Sequence, residues 1–127
     1  MKILKGPVSL DPVSLLTAAK SLPDIHKAGM ILLHNGIVRG FTTCKEPVEA
    51  IEVNADEQRL SEILTDARQT PGIVFVDAEI CTGTLSPGDD VMLLCVAGDV
   101  RGNVIDTMRK TLDRIKAEVT AKKEHIA

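Results

Sequence analysis

The spacing of hydrophobic residues predicts three amphipathic helices. The longest lies in the stretch from Asp99 to Lys123, where apolar residues recur at three- and four-residue steps. Asn103 is its predicted N-cap, because an asparagine side chain accepts a hydrogen bond from a first-turn N–H. The predicted buried stripe of this helix consists of Val104, Ile105, Met108, Leu112, Ile115 and Val119.

Two shorter helices are predicted earlier in the chain. Asp11 and Pro12 are a typical cap and first-turn residue, and the helix that they begin ends before Pro23. The next helix begins after Asn54 as N-cap, with Glu57 three residues later as its partner in a capping box. The predicted inward positions of the first helix are Val13, Leu15, Leu16 and Ala19.

Four apolar segments predict strands, because they are short or alternate with polar residues. The first strand contains Asn35-Gly36, which fits either a tight hairpin turn or a bulge in one long strand. The bulge is favoured, because the flanking segments are short for an independent hairpin. The last strand is apolar almost throughout, which predicts burial on both faces. The four segments are 28–40, 47–53, 73–81 and 91–97.

The order of these elements is helix, strands, helix, strands, helix. It predicts a single α+β domain over residues 1–127, with a mostly antiparallel sheet and helices packed on one side. A chain of 127 residues can close one hydrophobic core. The 44% hydrophobic and 26% charged content is typical of a globular protein.

Charge and composition exclude two classes of function. A net charge of −3 and an isoelectric point near 5.6 argue against nucleic-acid binding, which needs a clustered basic excess. Two phenylalanines and no tryptophan or tyrosine leave no platform on which bases could stack. No apolar run approaches the roughly 18 residues of a membrane span. Without a signal-peptide pattern, a cytoplasmic location is expected.

The three cysteines predict no metal site. They are widely separated and form no Cys-x-x-Cys pair. Cys81 and Cys95 fall in apolar runs and are expected to be buried, reduced thiols. Cys44 lies in a polar loop and is the one candidate for a reactive thiol.

Four cationic residues are the candidate site. Arg39 and Arg101 each precede a glycine, a setting that suits phosphate or carboxylate binding. Lys116 lies at the margin of the apolar stripe, and Lys123 returns to the same helix face seven residues later. A lysine beside apolar residues loses hydration, which lowers its pKa and makes it useful as a nucleophile or proton carrier. Two other readings stay open: the Lys116 stem only covers the core edge, and Arg101 only pairs with a nearby aspartate.

In their order these residues resemble the large, catalytic subunit of molybdopterin synthase, the MoaE family. The resemblance covers residues 28 to 123. Val100 stands where the family has a histidine, and Thr120-Ala121-Lys122 stands where it has Pro-Phe-Trp, which indicates a divergent member. The shared features, in chain order, are Gly36-Ile-Val-Arg39, Thr82-Gly-Thr-Leu-Ser-Pro-Gly88-Asp89, Arg101, and Lys116 with Lys123.

The resemblance implies a fold, an activity and partners. The fold would be α/β-hammerhead-like. The chain would form a homodimer in which each protomer binds a small ubiquitin-like sulfur carrier of the MoaD type, giving a heterotetramer. The enzyme would transfer sulfur from the carrier's C-terminal thiocarboxylate to cyclic pyranopterin monophosphate, forming molybdopterin for the molybdenum cofactor. The step would need no metal or cofactor, and neither nucleic acid nor membrane is an expected partner.

The resemblance also implies roles for the four cations. Lys116 and Lys123 would be catalytic, and Arg39 and Arg101 would bind the substrate. Together they would surround one anion-sized hollow. Two alternatives are a catalytically impaired relative that binds or regulates a ubiquitin-like carrier, and a structural homodimer whose cations are merely solvated.

Overall fold

A computed structural model describes all residues from Met1 to Ala127 and contains six strands and three α-helices. The predicted α+β class is therefore confirmed. The helices are α1 (Pro12–Lys20), α2 (Glu57–Arg68) and α3 (Arg101–Glu118), and a 3₁₀ turn spans Pro23–Lys27. The strands are β1 (Lys2–Lys5), β2 (Met30–Ile37), β3 (Val48–Ala55), β4 (Ile73–Leu85), β5 (Asp90–Gly98) and β6 (Thr120–Ile126).

The sheet is mostly antiparallel, as predicted. Its strand order is β2-β5-β4-β3-β6, and all four of these pairings are antiparallel. Only β1 runs parallel to its partner, β4. Helices α2 and α3 pack against each other, α2 also against β4 and α3 also against β5. None of the three helices is long and apolar enough to cross a membrane.

Strand β4 is shared between two halves of the sheet. Its first part, Ile73–Ile80, pairs with β5, whereas Gly83–Leu85 pairs with β3. Gly83 has a φ of +94°, a left-handed conformation that residues with a side chain rarely adopt. The glycine therefore allows β4 to change direction between its two partners.

Strand β5 is the centre of the core. Every residue from Val91 to Gly98 is buried, which confirms the predicted burial on both faces. Leu60 and Leu64 of α2 and Ile115 of α3 are also fully buried in the same cluster. Truncating one such side chain to alanine typically costs about 2–5 kcal/mol of stability.

The Asn35-Gly36 pair lies inside one continuous strand. Strand β2 pairs with β5 along its whole length, and the register shifts between Gly36 and Ile37. The predicted bulge is therefore confirmed, and the hairpin alternative is wrong.

The last helix is shorter than the hydrophobic pattern predicted. It ends at Glu118, and the following residues form β6, so the prediction that Lys123 lies on this helix is wrong. Ile105 is 46% exposed, whereas Thr107 and Thr111 are buried. The threonines lie on the same helix face as the buried Val104, Met108 and Ile115.

Asn103 does not cap α3. The N-cap position is Val100, whose side chain makes no capping bond. The Asn103 side-chain amide instead donates to the Asp99 carboxylate at 3.0 Å and to the Pro71 carbonyl at 2.9 Å. These bonds fasten the start of α3 to the turn before β4.

A glycine is required in that turn. Gly72 has a φ of +86°, and a Cβ atom placed on it would collide with the Asp99 carboxylate. The Asp99 N–H also donates to the Gly72 carbonyl at 2.9 Å. Backbone conformation and close packing therefore both exclude a side chain at this position.

The caps of the other helices were partly predicted. Asp11 caps α1 as expected, accepting a bond from the Val13 N–H at 3.0 Å, but Val13 is 64% exposed rather than inward. Helix α2 is capped by Asp56 and not by Asn54. The reason is that β3 continues its pairing with β6 through Ala55, so the helix begins later.

Candidate functional site

The main cavity of the molecule has a volume of about 420 Å³, which is within the usual range for small-molecule sites. It is open to solvent and is formed by four strands and the end of α3. Its lining residues are His34, Gly36, Ile37, Val38, Arg39, Phe41, Ile51, Val91, Met92, Lys116, Lys122 and Glu124.

The two edge strands of the sheet meet at this cavity. Strands β2 and β6 stand at opposite ends of the strand order, yet both contribute lining residues. The change of direction in β4 explains this, because it turns the β3–β6 half of the sheet toward the β2–β5 half. The cavity therefore combines residues that are far apart in the sequence.

Strand β2 supplies one wall. His34 and Gly36 lie two residues apart, so both face the cavity side of the strand. A Cβ atom placed on Gly36 would lie 3.4 Å from the His34 Nε2 atom and 3.9 Å from the Met92 Cβ atom. The absence of a side chain at position 36 thus leaves space beside the imidazole.

Strand β6 supplies a lysine that the sequence did not indicate. In the register with β3, Lys122 pairs with the buried Val53, whereas Lys123 pairs with the exposed Glu52. Paired residues of antiparallel strands project to the same face, and neighbouring residues to opposite faces. Lys122 therefore lines the cavity, and Lys123 points away from it.

Two of the four predicted cations reach the cavity. Arg39 and Lys116 are both lining residues, whereas Arg101 and Lys123 are not. Arg101 is the first residue of α3 and Lys116 lies near its last turn, a separation along the helix of about 22 Å. Within one chain, the predicted convergence of four cations is replaced by Arg39, Lys116 and Lys122.

Arg39 is fixed by a bond to the backbone. Its Nε atom donates to the Phe41 carbonyl at 2.7 Å. The two terminal nitrogens of the guanidinium remain free for an anionic ligand, which such a group binds through two parallel hydrogen bonds. Arg39 forms no ion pair with any carboxylate of the chain.

The charge inside the cavity is positive. Three cations line it against one carboxylate, that of Glu124. Lost hydration lowers the pKa of Lys122, the positive charge of Lys116 lowers it further, and the Glu124 carboxylate opposes this shift. The site is therefore suited to an anion although the whole chain carries a net charge of −3.

The environment of His34 disfavours its protonated form. Burial lowers its pKa from the ordinary value of 6.5, and the charges of Lys116 and then Lys122 lower it further.

The cations of a second surface groove are paired. In the groove between α2 and α3, the Lys110 amine lies 3.0 Å from the Asp106 carboxylate. Arg114 in the same groove lies 3.0 Å from the Asp66 carboxylate. These ion pairs leave no excess charge there, so this groove is not a comparable anion site.

The thiols lie outside the cavity. Cys81 and Cys95 are buried as predicted, and burial, followed by the charge of Asp77, raises the pKa of Cys95 to about 11. Cys44 is exposed in a turn of its own. No group of three or more His, Cys, Asp and Glu residues could hold a metal ion.

The family model of the MoaE protein matches residues 8–118, which is most of the chain. The chain belongs to the MoaE family. The matched range contains Arg39, Arg101 and Lys116 and ends before β6. This assignment confirms the identification made from the sequence, that of a large subunit of molybdopterin synthase in molybdenum cofactor biosynthesis.

Solved structures of the same kind share the fold of this MoaE family member. A MoaE protein from Burkholderia ambifaria aligns over 97% of this chain and 80% of its own, with 25% identity and a TM-score of 0.78. Molybdopterin synthase from Staphylococcus aureus aligns over 99% of this chain and 90% of its own, with 21% identity and a TM-score of 0.77.

A third structure is a complex of subunits 1 and 2 of molybdopterin-converting factor from Helicobacter pylori. It aligns over 98% of this chain and 84% of its own, with 21% identity and a TM-score of 0.73. No curated protein gives a significant match to the sequence.

Sequence reasoning missed Lys122 and His34 in this MoaE family member. His34 precedes Gly36 by two residues, a spacing that places both on one strand face and could have indicated it. Lys122 gave no signal, because the hydrophobic pattern of α3 extends past its true end and conceals the start of β6.

Proposed function

We propose that this large subunit transfers sulfur to cyclic pyranopterin monophosphate from the C-terminal thiocarboxylate of a small ubiquitin-like carrier of the MoaD type. The reaction would take place in the cavity between β2, β6 and α3. The observation that supports this proposal is the convergence of Arg39, Lys116 and Lys122 on one open hollow of about 420 Å³.

Both reactants are anions, and the cavity offers positive charge that would stabilise them. A cyclic phosphate and a thiocarboxylate each carry negative charge, which an excess of unpaired cations stabilises. A partly desolvated site strengthens each of these interactions relative to water. The substrate and the carrier tail could therefore occupy the same hollow together.

The positions of the cations suggest separate roles. Arg39 lines the cavity with two free guanidinium nitrogens, and it would hold the cyclic phosphate. Lys116 and Lys122 line the same hollow closely enough for the charge of Lys116 to lower the pKa of Lys122. They would stabilise the negative charge that develops on the acyl oxygen during transfer. Lys122 takes the role that the sequence suggested for Lys123.

The rim of the cavity suits an extended peptide. Ile37 and Phe41 line the hollow and are each 57% exposed, which is unusual for large apolar side chains. The tail of a carrier protein would cover them as its end enters the hollow. The complex of two subunits in the Helicobacter pylori structure supports a partner of this kind.

The test is a reconstitution with purified components. This chain is mixed with a thiocarboxylated carrier and cyclic pyranopterin monophosphate, and the dithiolene product is measured. Lys116→Ala should lose product by about 10²–10³-fold while the carrier remains bound, because one donor to the developing charge is removed. Lys110→Ala is the matched control, since Lys110 lies on the same helix and pairs with Asp106 outside the cavity.

Equal product from Lys116→Ala and from the unchanged chain would refute the role of this lysine. Product formation by the unchanged chain also decides a second proposal, that of a non-catalytic partner of the carrier. That alternative is favoured by Val100, which is 61% exposed and stands in place of the family's histidine. It predicts tight carrier binding with no product. The predicted homodimer is tested in the same preparations by analytical ultracentrifugation.

A further inference from the structure

His34 has no structural role that explains its position. Its ring makes no hydrogen bond within the chain and forms no ion pair. The other two histidines differ: the His26 Nδ1 atom lies 2.9 Å from the Pro23 carbonyl, and His125 lies 3.0 Å from the Glu52 carboxylate. Both nitrogens of the His34 ring are therefore available to a ligand in the cavity.

The surroundings of His34 oppose protonation of its ring. The charged groups that line the same hollow are Lys116 from α3, Lys122 and Glu124 from β6, and Arg39 beyond the end of β2. The neighbouring strand β5 contributes only apolar residues to the lining. No carboxylate pairs with the imidazole, and two ammonium groups oppose its protonation.

We propose that His34 is a further catalytic residue, the base that accepts a proton from the water that releases the carrier. This inference depends on the proposed sulfur transfer. The evidence for it is the free imidazole beside the space above Gly36, in the same hollow as the two lysines that would hold the acyl group. A neutral imidazole near such a group is the usual form of a general base.

The step follows from the chemistry of a thiocarboxylate. Its sulfur adds to a carbonyl carbon of the substrate, whose carbon–oxygen π electrons move to that oxygen, which takes up a proton from solvent. Carrier and substrate are then briefly joined by a thioester. Water then gives one proton to the His34 ring, and its hydroxide adds to the acyl carbon. The carbon–sulfur bond to the carrier breaks, and its electron pair stays on the sulfur. The carrier leaves as a carboxylic acid, which loses its proton to solvent, and the imidazolium also passes its proton to solvent.

The lysines and the histidine would have different roles in the reaction. Lys116 and Lys122 carry positive charge to the acyl oxygen, where negative charge develops. His34 removes the proton from water, which the charged lysines cannot do. General base catalysis of this kind contributes about 10²–10⁴-fold to a rate.

The test compares His34→Gln and His34→Phe with the unchanged chain in the reconstituted reaction. Both variants should lower kcat by about 10²–10⁴-fold and leave the KM for the cyclic pterin nearly unchanged. Mass spectrometry of His34→Gln should show accumulation of the carrier–substrate thioester. Added imidazole should restore part of the rate.

The pH profile separates catalysis from packing. Because the base must be unprotonated, the rate of the unchanged chain should fall on acidification, with a midpoint below the ordinary histidine pKa of 6.5, and His34→Gln should lose this limb. His125→Gln is the matched control and should keep both rate and profile. A rate for His34→Gln close to that of the unchanged chain, or a retained acidic limb, would overturn the inference. No product from the unchanged chain would instead refute the sulfur transfer itself.

Discussion

Two adjacent lysines give the sharpest test of the site. Lys122 and Lys123 are identical in chemistry and neighbours in β6, but only Lys122 lines the cavity. Replacing each in turn by alanine removes one charge from either face of the same strand. The pair therefore separates the position of a charge from its mere presence in the chain.

The expected magnitudes follow from the two environments. A charge about 4 Å from an anion in a partly desolvated site interacts by roughly 4 kcal/mol at an effective dielectric constant near 20. Part of this is offset by lost hydration, which leaves about 2–4 kcal/mol, or a rate loss of roughly 30- to 1,000-fold for Lys122→Ala. Lys123 faces solvent beside Glu52, where a surface charge contributes about 0–1 kcal/mol, so Lys123→Ala should change the rate by less than about fivefold.

The assay is dithiolene formation under single-turnover conditions, with carrier binding and thermal unfolding measured for both variants. Neither substitution removes a buried side chain, so both proteins should unfold within about 2 °C of the unchanged chain. A larger loss from Lys123→Ala than from Lys122→Ala would refute the strand register on which the site depends. Equal small losses would show that β6 contributes no charge to the reaction.

Three further predictions concern Arg39, the start of α3 and the thiols. Arg39→Ala should raise the KM for the cyclic pterin by about tenfold or more, because a bidentate phosphate contact is lost. Arg101→Ala should have little effect unless a second copy of the chain brings Arg101 to the cavity, and steady-state kinetics of the two variants distinguish these results. Gly72→Ala should lower the free energy of unfolding in urea by about 2–4 kcal/mol, because of left-handed strain and collision with the Asp99 carboxylate. Gly88 also has a left-handed φ, of +91°, but has open space around it, so Gly88→Ala should lower this free energy by only about 1 kcal/mol. A thiol reagent at pH 8 should modify Cys44 alone in the folded chain and all three cysteines after unfolding. Rapid modification of a second thiol in the folded chain would contradict the burial of Cys81 and Cys95.

The strands and the core could be predicted because burial leaves a regular pattern. Strand β5 is buried at every position from Val91 to Gly98, so its apolar run identified both its type and its central place. The bulge at Gly36 was also predictable, since an Asn-Gly pair between short apolar runs offers few other solutions. In both cases, local residue types and the final structure agree.

The missed strand, β6, has no such regular pattern. Strand β6 lies at a sheet edge and is mostly exposed, so its residues carry no hydrophobic period, and the pattern of α3 was extended through it. This error moved the expected lysine from position 122 to position 123, because helical spacing replaced strand alternation. The site depends on a contact between two sheet edges that are far apart in the sequence, and no local pattern reports such a contact.

The position of β6 also separates the packing of the core from the formation of the anion-binding wall. The buried cluster is complete by Val119, whereas the strand that follows contributes no buried side chain. Substitutions at its exposed positions would leave that cluster intact and yet change the anion-binding wall. Natural variation at these positions can therefore alter reactivity with little effect on the stability of the core.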